Sequence, residues 1–307
     1  MTGDWLIRRV VGIIPVLVLT WTLVFIAMHL IPGDPVSLIL GGTPASQAVM
    51  DAERHRLGLD QPVLVQFFDF MRRAATGDFG LSFTTRQPVI KMIGEQLPYT
   101  LSLAGGGLLF GGVFGTLLGT LAGLRPNGWA DAVVMTAALA GLSLPSFWIG
   151  MVLIHVFGTM LGWVPIVGTG FSSLILPSIT VGLFLAGGLA RLIRASVIEV
   201  QAQDYIRTAR AKGLWPITIV AKHIFRNAMI PPITLLGVQF ALLIGGAVVT
   251  ERVFARPGIG ALLVEGVLSK DYPLVQGVVT MTTAGYIFIN LLIDLLYGLI
   301  DPRISRR

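Results

Sequence analysis

The amino-acid sequence predicts an all-α membrane protein in which about six transmembrane helices form a single domain over residues 1–307. Apolar residues make up 54% of the chain and charged residues 12%, half of the ~25% charged residues typical of a soluble domain. Six apolar stretches reach the roughly 20 residues that a helix needs to cross the ~30 Å hydrocarbon core of a bilayer. Basic residues also concentrate on one predicted side of the membrane, as expected for inserted helices.

The first apolar stretch, 10–31, follows Arg8 and Arg9. It is longer than the ~7–15-residue apolar core of a signal peptide, so we interpret it as a retained span. The other five stretches are 99–123, 132–157, 174–194, 228–250 and 275–299. The 132–157 stretch is ambiguous, because apolar character continues to Val167 with interruptions at prolines and glycines. It fits one span with an added dipping segment, or two short spans.

The distribution of charge favours six spans. The predicted inside segments then carry 13 basic and five acidic residues, and the outside segments carry nine basic and ten acidic residues. Seven of the basic residues lie between Arg191 and Arg226. Splitting the 132–157 stretch would place this basic segment and the arginine-rich C-terminus on opposite sides of the membrane. The positive-inside rule therefore predicts six spans with both termini in the cytoplasm.

Two polar segments are predicted to lie outside the cell. The 32–98 insertion, which follows the first span, has helical patterns at 45–57 and 63–75. The 251–274 segment contains an amphipathic stretch, Ile259 to Leu268, that predicts a short helix near the outer surface.

Small residues form a stripe along the second span, where every fourth residue is glycine: Gly107, Gly111, Gly115, Gly119 and Gly123. In lipid, small residues allow two helix backbones to approach closely and supply packing energy. The stripe therefore predicts a helix-packing face. It fits a helix that slides during transport and, equally, ordinary packing in a glycine-rich protein.

Polar residues share one face of the sixth span and its end: Asn290, Asp294, Tyr297 and Asp301. An ionised aspartate in a membrane is costly, so Asp294 should face protein or water. One interpretation is a proton or cation site. We favour a polar membrane anchor formed by Asn290 and Asp294, in which Asp294 pairs with an arginine such as Arg191 or Arg194.

The sequence lacks the patterns of most catalytic sites. It has no cysteine, no glycine–lysine pair for a phosphate-binding loop and no HExxH metal motif,. We therefore expect a transport subunit that is not an enzyme, has no catalytic or metal-binding residues and binds no cofactor itself. Its energy must come from a partner protein or an ion gradient.

The 195–227 loop joins the fourth and fifth spans on the basic side. Residues 199–212 predict a helix that ends at Gly213, with cations near its negative C-terminal end. Pro216 suits the start of a second helix. Two short helices that meet at a glycine turn are therefore expected in the cytoplasm.

Several segments carry a resemblance that extends over nearly the whole chain in the same order: DYIRTARAKGL at 204–214, HIFRNAMIP at 223–231, LPSFWIG, VFARPGIG and NLLIDLLYGLIDPR. The sequence resembles the bacterial ABC-importer permeases of the dipeptide, oligopeptide and nickel branch, of the dipeptide permease B type. The general coupling loop of such importers reads EAA, three residues, glycine, nine residues and IxLP. When Gly213 is aligned with its glycine, Arg207, Thr208 and Ala209 occupy the EAA positions. This departure from the general loop resembles that of the peptide branch.

The resemblance implies an ABC type I importer fold and ten residues that couple to an ATPase: Asp204, Tyr205, Arg207, Thr208, Ala209, Arg210, Ala211, Lys212, Gly213 and Leu214. It implies a permease half in the bacterial inner membrane. The implied partners are a second homologous permease, two ATPase subunits that hold ATP and Mg, and an extracytoplasmic solute-binding protein, with no nucleic acid.

The substrate stays open among dipeptides, oligopeptides, nickel chelates, glutathione and haem-like ligands. The alternative function is a gradient-driven secondary transporter, for which Asp294 is the best candidate residue.

Overall fold

The computed structural model describes the backbone of residues 3–40, 46–244 and 247–300, and the side chains of 11–40, 46–229, 231–243 and 247–293. Regular structure in these ranges is helical, apart from one isolated antiparallel bridge between Leu81 and Pro88. This agrees with the predicted all-α class.

The helices are, in chain order, α1 (Gly3–Leu30), α2 (Pro35–Ile39), α3 (Gln47–Leu57), α4 (Val63–Thr76), α5 (Val89–Leu124), α6 (Trp129–Ser143), α7 (Ser146–Leu153), α8 (Phe171–Gln201), α9 (Asp204–Ala211), α10 (Pro216–Thr218), α11 (Arg226–Ala228), α12 (Ile230–Ile244), α13 (Val248–Val253), α14 (Ile259–Leu268) and α15 (Tyr272–Ile300). In the part of the chain that the structure describes, two segments are π-helical, Ile154–Met160 and Ile219–Phe225. The predicted helices at 45–57, 63–75 and 259–268 are confirmed as α3, α4 and α14, although residue 45 itself lies outside the described residues.

The chain divides into two compact units, Met1–Thr100 with Pro257–Arg307 and Leu101–Arg256. In the first unit, an aromatic cluster forms the core between α1, α4 and α15. Phe25 of α1 stacks on Phe70 of α4 with ring centroids 6.3 Å apart. Val278 of α15 is fully buried in the same cluster. The insertion thus packs on the first and last helices through aromatic side chains, each of which buries a large apolar area.

Among the described residues, four helices are long and apolar enough to cross a membrane: Val11–Leu30, Val89–Leu124, Phe171–Gln201 and Tyr272–Ile293. They coincide with the predicted spans at 10–31, 99–123, 174–194 and 275–299. The second begins at Val89 rather than at residue 99, since Pro98 is accommodated inside the helix.

The predicted 132–157 span is not one straight helix. Trp129–Ser143 and Ser146–Met160 meet at an angle of 104°. Pro145 lies at the bend, and Leu144 before it has an extended backbone with ψ 133°. Proline has no N–H to donate and disfavours the helical conformation of the preceding residue, which explains the break.

The predicted 228–250 span contains α12, whose 15 described residues reach about 22 Å at 1.5 Å per residue. Residues 245–246, which follow α12 within this predicted span, lie outside the described residues. Pro231 and Pro232 cannot donate the hydrogen bonds that would join α12 smoothly to α11. The described residues contain four helices long enough to be spans, or five if the bent pair is one span.

Candidate functional site

The first residues of the 195–227 loop continue α8 to Gln201, and a sharp turn that the sequence did not predict follows them. The expected continuous helix over 199–212 is wrong, because the chain leaves α8 and starts α9 after Gln203, which is extended with ψ 144°. This turn folds α9 back so that Ile206 and Ala209 are buried at 0% and 6% exposure. Burial of one such isoleucine stabilises the folded chain by roughly 1.5–3 kcal/mol, which outweighs the helical bonds lost at the turn.

A Schellman motif built on Gly213 ends α9. The N–H of Leu214 donates to the carbonyl of Ala209 at 3.3 Å, and the N–H of Gly213 donates to the carbonyl of Arg210 at 3.0 Å,. Gly213 has φ +71°, a left-handed conformation in which a Cβ would be strained. The glycine stop expected from the sequence lies at this turn.

The returning arm of the loop starts at Pro216 and continues as the π-helical segment Ile219–Phe225. In a π-helix, hydrogen bonds join residues five apart, so Ile219 and Ile224 lie on the same face. Both are buried, at 4% and 1% exposure. Four-residue α-helical spacing would instead bring His223 to that face, so the π-helical turn keeps the buried face apolar.

The inner face of the loop packs on α8 in one apolar cluster whose buried members are Leu185, Leu189, Ile193, Val197, Ile206, Ala209, Ile219, Ile224 and Ala228. Both arms of the loop contribute to this cluster. Each arm is therefore fixed to the long helix α8 rather than extending freely from it.

Polar contacts also tie the two arms together and to the long helices. Asn227 donates from Nδ2 to Oη of Tyr205 at 3.0 Å, and Arg210 donates from Nη2 to Oε1 of Gln201 at 3.5 Å. Gln201 in turn donates from Nε2 to the carbonyl of Gly123, at the end of α5, at 2.7 Å. The amide of Gln201 thus links the loop to both α5 and α8.

The outer face of the loop is an apolar ridge among cations. The ridge consists of Leu214, Trp215 and Ile217, with 40%, 78% and 76% exposure. Three exposed cations lie beside it in the sequence: Arg207, Arg210 and Lys212. A partner with an acidic surface around an apolar depression would complement this ridge.

Nine of the ten coupling residues expected from the resemblance are exposed, and Ala209 is buried. The structure thus assigns Ala209 to the inner face of the loop and the others to its surface. Sequence reasoning missed Trp215 and Ile217 as surface residues. The signal that could have indicated this exposed pair is the presence of two large apolar side chains on either side of Pro216 in a basic loop.

The glycine stripe of α5 lies against α8 along four turns. A Cβ on Gly119 would lie 2.6 Å from the carbonyl oxygen of Ala190, and a Cβ on Gly115 would lie 2.7 Å from Cβ of Leu189. The other stripe members face α8 in the same way: Gly107, Gly111 and Gly123. Glycine is required because the two backbones approach more closely than a methyl group permits. This contact makes α5 and α8 a tightly packed pair beneath the loop.

A partly buried ion pair joins the start of α6 to α8. The guanidinium of Arg194 donates from Nε and Nη2 to the two carboxylate oxygens of Asp131, with an Nη2–Oδ2 distance of 2.7 Å. The N–H of Asn127 donates to Oδ2 of the same carboxylate at 2.8 Å. Asp131, with 3% exposure, is therefore the partner of Arg194, a role for which the sequence analysis considered Asp294.

The polar face of the last helix is described only in part. Asn290 donates from Nδ2 to the carbonyl of Tyr286 at 3.0 Å, which satisfies its amide within its own helix. The side chains of Asp294 and Tyr297, and all of Asp301, lie outside the described residues.

The chain matches known transport proteins in sequence and in fold. The family model "Binding-protein-dependent transport system inner membrane component" matches residues 115–306, and the corresponding N-terminal model matches residues 3–104. The chain is 43% identical over 302 residues to the glutathione transport system permease protein GsiC of Escherichia coli (strain K12) and of Shigella flexneri serotype 5b, with 98% of each chain covered. It is also similar to a chain of the MetNI methionine ABC transporter in an inward-facing conformation. The TM-score is 0.58 at 21% identity, over 70% of this chain and 99% of that chain.

Proposed function

This chain belongs to the inner membrane components of binding-protein-dependent transport systems, and we propose that it forms half of the pathway of an ATP-driven importer for short peptides. It is a multi-pass permease subunit of an ABC importer and a transport component rather than an enzyme. Full-length similarity to glutathione permeases supports a small peptide as the substrate, because glutathione is itself a tripeptide.

The structure of the 195–227 loop is the observation that supports the proposed mechanism. Its inner face is fixed to α8 by buried apolar residues, while its outer face presents Trp215 and Ile217 to solvent. We propose that this loop lies in the cytoplasm and that an ATPase subunit docks on it. Movement of the docked ATPase would then be transmitted to α5 and α8 through the apolar cluster and the Gln201–Gly123 contact.

The complete importer would contain three further subunits and a solute-binding protein that delivers the substrate. We propose a second, homologous permease, two ATPase subunits that hold ATP and Mg, and an extracytoplasmic solute-binding protein. The binding protein would dock on the 32–98 insertion and the 251–274 segment. Both termini of the permease would lie in the cytoplasm, in keeping with the concentration of basic residues on that side.

The docking proposal is tested by truncating the ridge. In proteoliposomes that contain the complete importer, the double variant Trp215→Ala, Ile217→Ala should lose most ATP-driven peptide uptake. Loss of one well-packed tryptophan anchor costs about 2 kcal/mol of binding, or about 30-fold in affinity. The matched control is Trp163→Ala, since Trp163 is similarly exposed at 70% but lies outside the loop and outside the two segments proposed to bind the solute-binding protein.

Uptake by the double variant at the wild-type rate would contradict docking on the ridge. Uptake that proceeds without the ATPase subunits and stops when a protonophore dissipates the gradient would instead support the secondary transporter.

A further inference from the structure

The first unit contains a half-open cleft of about 610 Å³. It is lined by residues at the end of α1, in the 32–98 insertion and at the start of α15. Its volume falls within the roughly 300–1,000 Å³ range of small-molecule sites. None of the ten coupling residues lines it, so docking of an ATPase does not account for the cleft.

Two guanidinium groups in the cleft retain hydrogen-bond donors. Arg73 uses Nε to bind Asp69 at 2.8 Å, and Arg86 uses Nη2 to bind Glu53 at 2.6 Å. Within the described part of the chain, the two terminal nitrogens of Arg73 and the Nε and Nη1 of Arg86 have no protein acceptor. The free terminal N–H pair of Arg73 matches the two oxygens of a carboxylate, and Arg86 can add a single N–H donor.

A carboxylate of opposite charge lines the same cleft. Asp78 accepts the N–H of Gly80 on Oδ1 at 2.9 Å, and its Oδ2 has no partner among the residues that the structure describes. The Nη1 of Arg73 lies 3.5 Å from the position of a Cβ on Gly80, so the guanidinium reaches the turn that holds Asp78. No ion pair joins Arg73 to Asp78 within the described ranges. An acceptor and a donor of opposite charge are therefore both available on this wall.

Aromatic rings form the apolar part of the cleft. Phe25, Phe70, His29 and Tyr272 line it, with the ring of His29 4.1 Å from that of Phe25 and 5.1 Å from that of Tyr272. Such rings offer a flat surface to an apolar side chain or a peptide plane. The cleft thus combines a cationic group, an anionic group and an apolar surface.

We propose that this cleft binds a short zwitterionic peptide directly, with the peptide carboxylate on Arg73 and Arg86 and its ammonium group on Asp78. The proposal goes beyond the pathway role and rests on the proposed function for the class of solute. A peptide with free termini satisfies both charges, whereas an acidic loop of a docking protein would leave Asp78 without a cation. The permease would therefore hold a peptide site of its own, separate from that of the solute-binding protein.

Calorimetric titration of the purified importer complex, without ATP and without the binding protein, tests this site. The probe is trialanine, with N-acetyl-trialanine and trialanine amide as the blocked peptides. We expect saturable binding of trialanine and at least ten-fold weaker binding of each blocked peptide. Arg73→Gln should weaken trialanine binding at least ten-fold. The control Arg72→Gln should leave it within two-fold, because Arg72 also pairs with Asp69, at 2.8 Å, but does not line the cleft.

Asp78→Asn provides a second test that does not depend on the fold of the Arg73 variant. It should weaken binding of trialanine at least ten-fold while leaving the affinity for N-acetyl-trialanine unchanged. The proposal is overturned if trialanine shows no saturable binding, if blocked and free peptides bind equally, or if Arg73→Gln retains wild-type affinity. It is also overturned if Arg73→Gln weakens only the affinity for the binding protein, which would assign the cleft to protein docking. Intact peptide binding in a complex that shows no ATP-driven uptake would contradict the importer function and leave the site standing.

Discussion

Replacement of Gly119 by alanine tests the contact between α5 and α8. A Cβ at this position would lie 2.6 Å from the carbonyl oxygen of Ala190, 2.9 Å from its Cα and 2.9 Å from Cβ of Ile193. Carbon atoms in favourable contact are about 3.5–4.0 Å apart, so the helices would have to separate by roughly 1 Å. Two of the three atoms belong to the backbone, so no side-chain rotation relieves the clash. Overpacking of this kind costs about 1–3 kcal/mol.

The assay is thermal unfolding of the purified permease in detergent. For a protein of this general size, 1 kcal/mol shifts the Tm by about 2–4 °C, so Gly119→Ala should melt about 2–12 °C below the wild type. The matched control is Gly105→Ala on the same helix, where a Cβ meets no atom within 4 Å. This control should melt at the wild-type temperature or slightly above it, because alanine favours a soluble helix over glycine by about 0.8–1 kcal/mol.

The Tm values of the two variants together decide whether α5 and α8 are in contact at Gly119. If Gly119→Ala melts at or above the wild-type temperature, α5 and α8 are not in backbone contact at this level. If the Tm falls equally in both variants, the decrease reflects the general response of α5 to alanine and not the contact with α8.

Three further predictions concern the polar contacts. Asp131→Asn leaves the partly buried guanidinium of Arg194 without its charge partner and should lower the unfolding free energy, because a bidentate charge-assisted hydrogen bond is lost. Denaturant unfolding measures this loss, and unchanged stability would contradict the ion pair. Asp271 is a fully buried carboxylate that accepts hydrogen bonds from a side-chain hydroxyl and two backbone N–H groups. Its replacement by Ala should lower the unfolding free energy by about 2 kcal/mol. Limited proteolysis should then cut the 32–98 insertion of the variant faster than that of the wild type. An unaltered cleavage rate would contradict a stabilising role for these hydrogen bonds. The hydrogen bond to Asp60 raises the pKa of His55, so the pair stabilises the fold fully below about pH 6.5 and loses its effect as the pH rises through the raised value. The Tm difference between wild type and His55→Gln should therefore shrink as the pH rises, and a difference independent of pH would refute the pairing.

Local sequence patterns predicted the elements whose cause is itself local. The periodicity of the 32–98 insertion gave α3 and α4, and Gly213 marked the end of α9, because amphipathic spacing and left-handed glycine act within a few residues. The glycine stripe indicated a close helix contact but not its partner. Small residues mark a packing face, whereas the choice of α8 depends on the arrangement of helices distant in sequence.

Features set by tertiary packing were not predictable in the same way. The break at Gln203 exists because Ile206 gains burial against α8, and no residue at the break forbids a continuous helix. The π-helical turn depends likewise on burying Ile219 and Ile224 together. The bend at Pro145 was visible as an interruption, but its angle of 104° depends on the helices that surround it.

The sidedness and exposure of the 195–227 loop can be measured most directly with one thiol. The chain has no cysteine, so Lys212→Cys introduces a unique label site beside the ridge and leaves Trp215 and Ile217 in place. A membrane-impermeant maleimide should leave this thiol unlabelled in intact spheroplasts and label it in inverted membrane vesicles that lack the ATPase subunits. Vesicles that contain the assembled ATPase should protect it. Labelling from outside intact spheroplasts, or equal labelling with and without the ATPase, would contradict a cytoplasmic loop on which the ATPase docks.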